Sequence, residues 1–490
     1  MQLLNQGKLE KIGIVASDSS ETRARLLLEE KQELKVRAEE IVVIDTPNGY
    51  VLGILRGGSG INEALKANAY RPSVAYAKRG GVPSGAREIY TFEIIVIGVI
   101  TENGIEQNRL IIPPRSNVYL FKKGASNPLE YVARNKPVIW RAWLDGHEDW
   151  KIPFDSSFLT YHIGIFGATG SGKSWLTRHV IIPVLLDANF KVLVLDWSGE
   201  DYAPYFKDKA ISISRLKLDE EAIVKYIMEK AEYFGYTGQS KDSNPVKEAL
   251  EDYVSRKWED ARQKKPEEIF VDIRNYLDNN VKQAPIRDDQ RRNALRRIEY
   301  GFKKLKPIDL DAVRGSVSIE ELVEELRSKN EGGIKVVDMS LVGSEEKLSF
   351  FNSLARFLEE GMELGESLDI ALIIDEGPQY APWEPKGIQY ESTEHIKNLC
   401  ALGRKHRLCI VLISQGIAGD IGINAAVRRN LNTQFFGALH PLDMQEADNW
   451  LKPYGIQREY LLSLKPGQFY FVGKANPSPI PLLISFTPEG

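Results

Sequence analysis

The sequence has 490 residues, of which 43% are hydrophobic and 9% aromatic, and its formal net charge is −4. This length and composition are typical of a chain with two or three globular domains and exclude a largely disordered protein. The slightly acidic balance excludes a surface that is basic throughout, so nucleic acid would be bound by a local basic patch or by a ring of several subunits.

Two cysteines, Cys400 and Cys409, are too few for a disulfide framework, and their spacing is not that of a metal site. The N-terminal sequence has no apolar core of signal-peptide length, and no apolar run approaches the roughly 18 residues that span a bilayer. We therefore expect a cytoplasmic protein with no membrane partner.

The first part of the chain consists of short alternating or apolar segments broken by turn residues. Pro47, Asn48 and Gly49 separate two apolar segments, and Asn103-Gly104 follows another, which is typical of β-hairpins. This pattern predicts a small β-barrel or β-sandwich over residues 1–125. Residues 126–160 are rich in Pro, Asn and Trp and are interpreted as a linker into the next domain.

From Tyr161 onward, apolar segments alternate with helix-compatible sequence. The segments are HIGIF, KVLVLDW, GIKVVDMS, IALIIDE, LCIVLISQ and NTQFFGAL. Nearly continuous apolar character is typical of parallel strands that are covered on both faces. It predicts an α/β core over residues 161–215 and 330–490.

Residues 216–329 are charged and lack a strand pattern, which predicts a helical insertion in the α/β core. The insertion contains a basic run over residues 287–306, RDDQRRNALRRIEYGFKKLK. We interpret this run as the solvated face of a helix rather than as a ligand site.

The segment GATGSGKS, residues 167–174, fits the phosphate-binding pattern G-x-x-x-x-G-K-[ST]. The glycines allow backbone N–H groups to surround a phosphate, Lys173 supplies positive charge, and Ser174 offers a hydroxyl to Mg²⁺. We expect ATP as the nucleotide. The expected nucleotide-binding residues are Gly167, Thr169, Gly170, Ser171, Gly172, Lys173, Ser174 and Trp175.

A second acidic motif, IALIIDE, ends in Asp375 and Glu376. Asp375 is expected to meet Mg²⁺ through water, and Glu376 to act as the general base on the attacking water. A base in this position favours an ATPase that performs work. A GTPase is disfavoured: DWSG, residues 196–199, fits D-x-x-G, but no N-K-x-D follows the phosphate loop.

The strand LISQ ends in Gln415, which we expect to sense the γ-phosphate from a strand between the two phosphate-site strands. The preceding segment, GRKHR, is expected to lie near the same edge of the sheet. Arg404 in this segment is our candidate for a guanidinium that stabilises transition-state charge.

These motifs together resemble the HerA family of hexameric DNA translocases, within the HerA/FtsK superfamily. The resemblance covers most of the chain and includes the N-terminal strand region, GATGSGKS, VLVLDWSGEDY, IALIIDEGPQYAP, GRKHRLCIVLISQ and LLSLKPGQFYFVGK. It implies a RecA-like P-loop ATPase core preceded by a small β-barrel. It also implies a homohexamer that threads double-stranded DNA, together with a NurA-type nuclease docked on the barrel.

The resemblance also implies roles for individual residues. ATP and Mg²⁺ would be held at Lys173, Ser174 and Asp375, with Glu376 as the base. Gln415 would be the γ-phosphate sensor and Arg404 an arginine sensor. Asp196 and Glu200 would lie near the edge of the nucleotide.

The sequence departs from the family pattern at three places. Tyr161-His162 stands where the family has an Arg-His pair, whose arginine acts on a neighbouring subunit's nucleotide. Gly377-Pro378 replaces Ala-His, and Gly416-Ile417 replaces Arg-Pro. Arg428 and Arg429 are other possible sources of the missing arginine.

The leading hypothesis is a ring-shaped, ATP-driven DNA translocase in DNA end processing, with DNA contacts from Lys386, Arg428 and Arg429. One alternative is a related motor for conjugation, secretion or viral genome packaging. Another is a regulatory ATP-binding module in which binding itself is the signal.

Overall fold

The computed structural model describes residues 8–62, 65, 72–81, 88–236, 244–328 and 332–487. Residues 1–7, part of the sequence in which no signal peptide is expected, lie outside this range. The chain divides into two compact units. The first unit comprises residues 1–184, 415–417 and 432–490, and the second unit comprises residues 185–414 and 418–431.

The strands are β1 (Leu9–Val15), β2 (Arg23–Leu28), β3 (Ile41–Thr46), β4 (Gly49–Asn62), β5 (Glu88–Thr101), β6 (Gly104–Glu106), β7 (Asn117–Phe121), β8 (Val138–Leu144), β9 (His147–Asp155), β10 (Ile163–Phe166), β11 (Lys191–Asp196), β12 (Ala210–Ser212), β13 (Ile334–Asp338), β14 (Ile370–Ile374), β15 (Leu408–Ser414), β16 (Thr433–Phe436), β17 (Gln468–Gly473) and β18 (Leu482–Ser485).

The α-helices are α1 (Pro72–Lys78), α2 (Leu129–Ala133), α3 (Lys173–Leu176), α4 (Ile182–Asp187), α5 (Glu220–Lys230), α6 (Pro245–Ala261), α7 (Pro266–Gln283), α8 (Asp288–Lys304), α9 (Ile319–Arg327), α10 (Ser344–Glu363), α11 (Gly377–Tyr380), α12 (Gln389–Gly403), α13 (Ala425–Arg428), α14 (Met444–Leu451) and α15 (Arg458–Ser463). A π-helical turn, Thr177–Ile181, joins α3 to α4.

The N-terminal strands form a closed antiparallel barrel. Its strand order is β2-β1-β7-β3-β4-β5, and pairing of β2 with β5 closes it. Thr46 pairs with Gly49 across one hairpin and Thr101 with Gly104 across another, where the turn residues predict them. Apolar side chains such as Ile12, Leu26 and Leu55 fill the interior. The predicted N-terminal barrel is confirmed.

A second sheet of the first unit has the order β10-β16-β17-β18-β8-β9. β10 and β16 are parallel, and the other neighbours are antiparallel. β8 and β9 come from residues 126–160, which the sequence indicates as a linker. Pro and Asn dominate the first part of that segment, whereas Val138, Ile139 and Trp140 have the high β-propensity that suits a strand.

A buried ion pair fastens the barrel to this second sheet. The Arg56 side chain is fully buried, and it donates hydrogen bonds to the two Glu39 carboxylate oxygens at 3.0 and 3.1 Å. Arg56 also donates to the carbonyl oxygens of Tyr454 and Pro481, both at 2.7 Å. The Tyr470 hydroxyl on β17 donates to Glu39 at 3.0 Å. Each charge is therefore compensated where water is excluded.

The second unit contains a parallel sheet with the order β12-β13-β11-β14-β15. All residues of β14 and β15 are buried, as expected for apolar strands covered on both faces. The predicted α/β class is confirmed.

Helices α5 to α9 lie within residues 216–329. α8 carries the basic run and buries Ala294, Ile298 and Phe302 on one face. Arg292 and Arg296 are exposed.

Both cysteines of the chain lie in the second unit. Cys400 and Cys409 are both buried free thiols, and burial raises the pKa of each. Among the residues described, no helix is both long enough and apolar enough to cross a membrane.

Replacing Arg56 with Met keeps an unbranched chain but removes the guanidinium, which leaves Glu39 buried without its ion partner. We expect Arg56→Met to lower the free energy of unfolding by about 3–5 kcal/mol, measured by denaturant unfolding. The control is Lys11→Met, because Lys11 and Glu29 form a pair that is 42% and 48% exposed. That change should cost no more than about 1 kcal/mol. Equal losses in the two variants would contradict a special stabilising role for the buried Arg56–Glu39 ion pair.

Candidate nucleotide-binding site

The phosphate loop follows β10, whose residues are all buried, and leads into α3. Gly172 has φ of 94°, in the left-handed region that favours glycine. A Cβ atom built there would lie 3.0 Å from the backbone nitrogen of Gly467. Gly467 N–H donates to the Ser171 carbonyl at 3.2 Å, and Ala168 N–H donates to the Ala438 carbonyl at 2.7 Å. The loop is therefore held by backbone contacts to two other segments of the first unit.

Lys173 lies against its own loop. Its Nζ donates to the carbonyl oxygens of Gly167 at 2.8 Å and Ala168 at 3.2 Å. These contacts hold the ammonium beside the loop backbone, where it can meet phosphate oxygens. Ser174 is half-buried, and Trp175 exposes 40% of its surface.

Gln415 reaches the phosphate loop, although it is distant in sequence. The Thr169 hydroxyl donates to Gln415 Oε1 at 2.9 Å. The structure thus brings together two of the residues expected at the nucleotide. A polar residue in this place can change partner when phosphate enters or leaves the loop.

The second unit holds the acidic motif at the end of β14. Asp375 is only 5% exposed, and its pKa is raised to about 8, first by burial and then by Glu376, Asp201 and Asp196. A buried carboxylate among other acidic groups is suited to binding a cation. Asp201, which acts on Asp375 together with Glu376 and Asp196, is not among the site residues that the sequence motifs indicate.

The Asp375 carboxylate is chemically suited to a Mg²⁺ ion. Mg²⁺ usually keeps several waters and takes only one or two protein carboxylates besides phosphate oxygens. Asp375 could supply one such carboxylate. In the part of the chain that the structure describes, no group of three or more His, Cys, Asp and Glu side chains is arranged to hold a metal by itself.

Glu376 occupies an unusual backbone conformation. Its φ is 49° and its ψ is 50°, and it precedes the short helix α11. Non-glycine residues in this region carry strain that is often found at functional sites. Glu376 is half-buried.

Asp196 organises the loop that follows β11. Its carboxylate is fully buried and accepts hydrogen bonds from the backbone N–H groups of Gly199, Tyr202 and Ala203 at 2.9 to 3.1 Å. Burial raises the Asp196 pKa, against the opposing effect of these bonds. Asp196 therefore fixes the loop over residues 197–203. Glu200 in this loop is exposed.

The expected placement of Arg404 is wrong. Ile370 pairs with Leu408, and Ile374 with Leu412, so β14 and β15 run in register. Arg404 precedes β15, whereas Asp375 follows β14, which places Arg404 at the opposite edge of this parallel sheet. The Leu368 N–H, just before β14, donates to the His406 carbonyl, just before β15, at 2.8 Å. The segments that precede the two strands therefore lie side by side. The sequence indicated nearness to the LISQ motif, but a fully extended strand separates the two ends.

The proposed DNA-contact residues come from two segments that the structure brings together. Trp383 N–H donates to the Gly422 carbonyl at 3.1 Å, and Asn424 N–H donates to the Ala381 carbonyl at 2.9 Å. The Arg428 guanidinium lies 5.2 Å from the centre of the Trp383 ring. Lys386 and Arg429 are both exposed. Trp383 is 37% exposed. The sequence motifs do not indicate this residue, because an isolated Trp in a loop has no sequence signature.

Tyr161 and His162, which differ from the Arg-His pair of the family, bond through their backbone to the segment at the start of β16. The Tyr161 carbonyl accepts from Asn432 N–H at 3.0 Å, and the His162 carbonyl accepts from Thr433 N–H at 3.2 Å. His162 is 2% exposed and has φ of 64° and ψ of 153°. This conformation is strained for a residue with a side chain.

The comparison with protein families identifies the region around the phosphate loop. Residues 143–358 match the family model described as "Helicase HerA, central domain". This match agrees with the family resemblance that the motifs indicate. The match includes the phosphate loop and ends before Asp375. No curated protein matches the sequence significantly.

Three solved structures of other proteins show distant likeness to this chain. The bacterial conjugative coupling protein TrwBdeltaN70 has 13% identity and a TM-score of 0.44, covering 74% of this chain and 91% of that chain. VirB4 of Thermoanaerobacter pseudethanolicus has 12% identity and a TM-score of 0.45, covering 71% and 96%. The genome packaging NTPase B204 from Sulfolobus turreted icosahedral virus 2, in complex with AMP, has 13% identity and a TM-score of 0.31, covering 66% and 98%.

Asp375→Asn tests whether the buried carboxylate serves a bound cation. We expect Mg²⁺-dependent ATP hydrolysis to fall by at least about 100-fold. The Tm of the nucleotide-free protein should hold or rise, because a buried charge among like charges is removed. Asp369→Asn, at the other end of β14, is the control and should retain turnover. A variant of Asp375 that keeps its activity, or that unfolds earlier, would contradict this role.

Proposed function

We propose that this protein is an ATP-driven DNA translocase that works as a homohexameric ring. The observation that carries the proposal is the contact between Thr169 of the phosphate loop and Gln415, in a chain whose β14 is followed by Asp375-Glu376. The HerA central-domain match over residues 143–358 supports a motor rather than a metabolic enzyme.

In this proposal the loop N–H groups and Lys173 bind the phosphates of ATP. Ser174 and Asp375 would hold Mg²⁺, which supplies charge neutralisation at the phosphate oxygens when bound. Glu376 accepts a proton from the attacking water. Gln415 exchanges its Thr169 partner as the γ-phosphate comes and goes, and so reports the state of the nucleotide.

DNA would be contacted by the surface around Trp383. Lys386, Arg428 and Arg429 carry positive charge near this aromatic ring, and Arg428 packs on it. Basic side chains bind the phosphate backbone, while an exposed aromatic ring adds contact area without reading sequence. The arrangement suits a motor that must hold any DNA sequence, and duplex DNA is the favoured track.

The ring is proposed because contacts from a neighbouring subunit normally complete sites of this class, and because a monomer cannot encircle DNA. Tyr161 stands where the family has its arginine, so the guanidinium for the transition state would come from elsewhere in the neighbouring subunit, with Arg404, Arg428 and Arg429 as candidates. Arg404 suits this role only across subunits, because it lies at the sheet edge opposite Asp375.

A NurA-type nuclease is the proposed partner at the barrel. The loop between β6 and β7 exposes 55% of Leu110 and 67% of Ile111. Adjacent exposed apolar side chains of this size are typical of protein contact sites. DNA end processing, with the motor feeding the nuclease, is the proposed role.

The direct test measures ATP hydrolysis with duplex DNA, with single-stranded DNA and without DNA. We expect duplex DNA to give the largest stimulation, with Lys173→Ala as the inactive blank. Glu376→Gln should bind ATP but lose turnover. Stimulation by a protein substrate alone would favour a secretion motor. A Glu376→Gln protein that retains its cellular function would favour a regulatory module.

Lys386→Gln tests the DNA-contact surface. We expect the DNA concentration for half-maximal ATPase stimulation to rise about 3- to 10-fold at moderate salt. The slope of log affinity against log salt concentration should fall by the amount expected for the loss of about one phosphate contact. The matched control is Lys405→Gln, since Lys405 is an exposed cation beyond the other end of β15. Equal effects of the two substitutions would show that general charge, rather than this surface, governs DNA binding.

A further inference from the structure

A cavity of about 220 Å³ lies within the second unit, apart from the residues assigned to ATP. Helices α5, α10 and α12 supply its lining. Its walls are mostly polar or charged, which is unusual for a space between packed helices.

Two buried side chains in this lining lack the hydrogen bonds that burial normally demands. Glu346 and Asn352 are each 1% exposed. Both carboxylate oxygens of Glu346 and both amide atoms of Asn352 are without a hydrogen-bond partner among the described residues. Leaving such groups unpaired costs about 1–3 kcal/mol each, and more for a charge. Their positions point to a ligand that supplies the missing bonds.

The charges around the cavity define the sign of that ligand. Lys225 forms an ion pair with Glu345, and Arg356 lies 3.5 Å from Glu391. These two basic side chains are thus already used, whereas Glu346 has no such pair. Burial and nearby Glu345 raise the Glu346 pKa, while the Glu346 backbone N–H and the charges of Lys225 and Lys230 act in the opposite direction. The lining carries five acidic side chains and two basic ones. The cavity therefore favours a positively charged group.

The remaining polar groups favour an organic cation over a metal ion as the ligand. Asp219, a possible third ligand, already accepts hydrogen bonds from the Ser349 and Ser353 hydroxyls, both at 2.9 Å. The described residues hold no cluster of three metal-binding side chains. The cavity is also several times larger than the roughly 30 Å³ that one water occupies. An ammonium group needs only acceptors such as the Glu346 carboxylate and the Asn352 amide oxygen.

We propose that this cavity binds a small aliphatic amine, with its ammonium group donating to Glu346 and Asn352. A diamine would place its second ammonium near Glu391 or Glu221 at the margin of the cavity. The binding itself does not depend on the proposed DNA translocase function.

The position of the cavity suggests what such a ligand would control. Ile388 and Glu391, at the start of α12, are part of its lining. The backbone N–H of Lys386 bonds to Gln389 Oε1 at 3.4 Å in the same segment. An amine bound against α5 and α10 would therefore fix the start of α12 and the Lys386 loop. This consequence rests on the proposed function of that loop.

The test is a titration of the full-length protein with 1,4-diaminobutane, without nucleotide or DNA and at constant ionic strength. Calorimetry and the ligand-dependent rise in Tm are both measured. We expect saturable binding to one site per chain, and none with the neutral analogue 1,4-butanediol. Glu346→Gln should weaken binding at least tenfold while holding or raising the Tm of the free protein, because it removes a buried charge. Asn352→Leu should also weaken binding.

Glu360→Gln is the matched control, because Glu360 is exposed on α10 and does not line the cavity. It should leave diamine binding unchanged. Absence of saturable binding, or equal effects of Glu346→Gln and Glu360→Gln, would overturn the proposal. Binding of Mg²⁺ that depends on Glu346, without diamine binding, would overturn it in favour of a metal site. Failure of DNA to stimulate ATP hydrolysis would leave diamine binding standing.

Discussion

The backbone of the phosphate loop rests directly on the backbone that leads into β17. Gly172 and Gly467 approach so closely that a side chain on Gly172 would meet the Gly467 nitrogen at 3.0 Å. Beyond Gly467, β17 carries Tyr470, which bonds to Glu39 of the barrel, and Glu39 is paired with buried Arg56. A continuous set of backbone and buried contacts thus joins the barrel to the phosphate loop within the first unit. A partner that shifts the barrel would act on the loop through β17.

The second unit uses buried carboxylates in two contrasting ways. Asp196 is satisfied by three backbone N–H groups and shapes a loop. Asp375 is nearly as buried, and its pKa is raised by burial and by its acidic neighbours. The contrast is consistent with a loop-shaping role for Asp196 and with the proposed cation-binding role for Asp375.

Much of this architecture follows from local sequence patterns. The turn residues at Asn48 and Asn103 predict hairpins that the structure contains, and the apolar segments predict the parallel strands. Motif spacing also indicated Gln415, which contacts Thr169. In each case the information lies within a few consecutive residues, where periodicity and turn chemistry act.

The features that sequence did not predict depend on contacts between distant segments. Arg404 was expected near Gln415, but the length of β15 places them at opposite ends. The Arg428–Trp383 contact depends on two segments that meet only in the folded chain. Gly467 is one glycine among many, and only the close approach of Gly172 reveals its role.

In the proposed function, ATP hydrolysis moves this protein along DNA. The most direct measurement is displacement of a third strand from a triplex placed on duplex DNA, with the wild-type protein and Glu376→Gln. We expect ATP-dependent displacement by the wild type and none by Glu376→Gln, although that variant still binds both ATP and DNA. Displacement that proceeds equally without hydrolysis, or hydrolysis stimulated by DNA without any displacement, would contradict translocation.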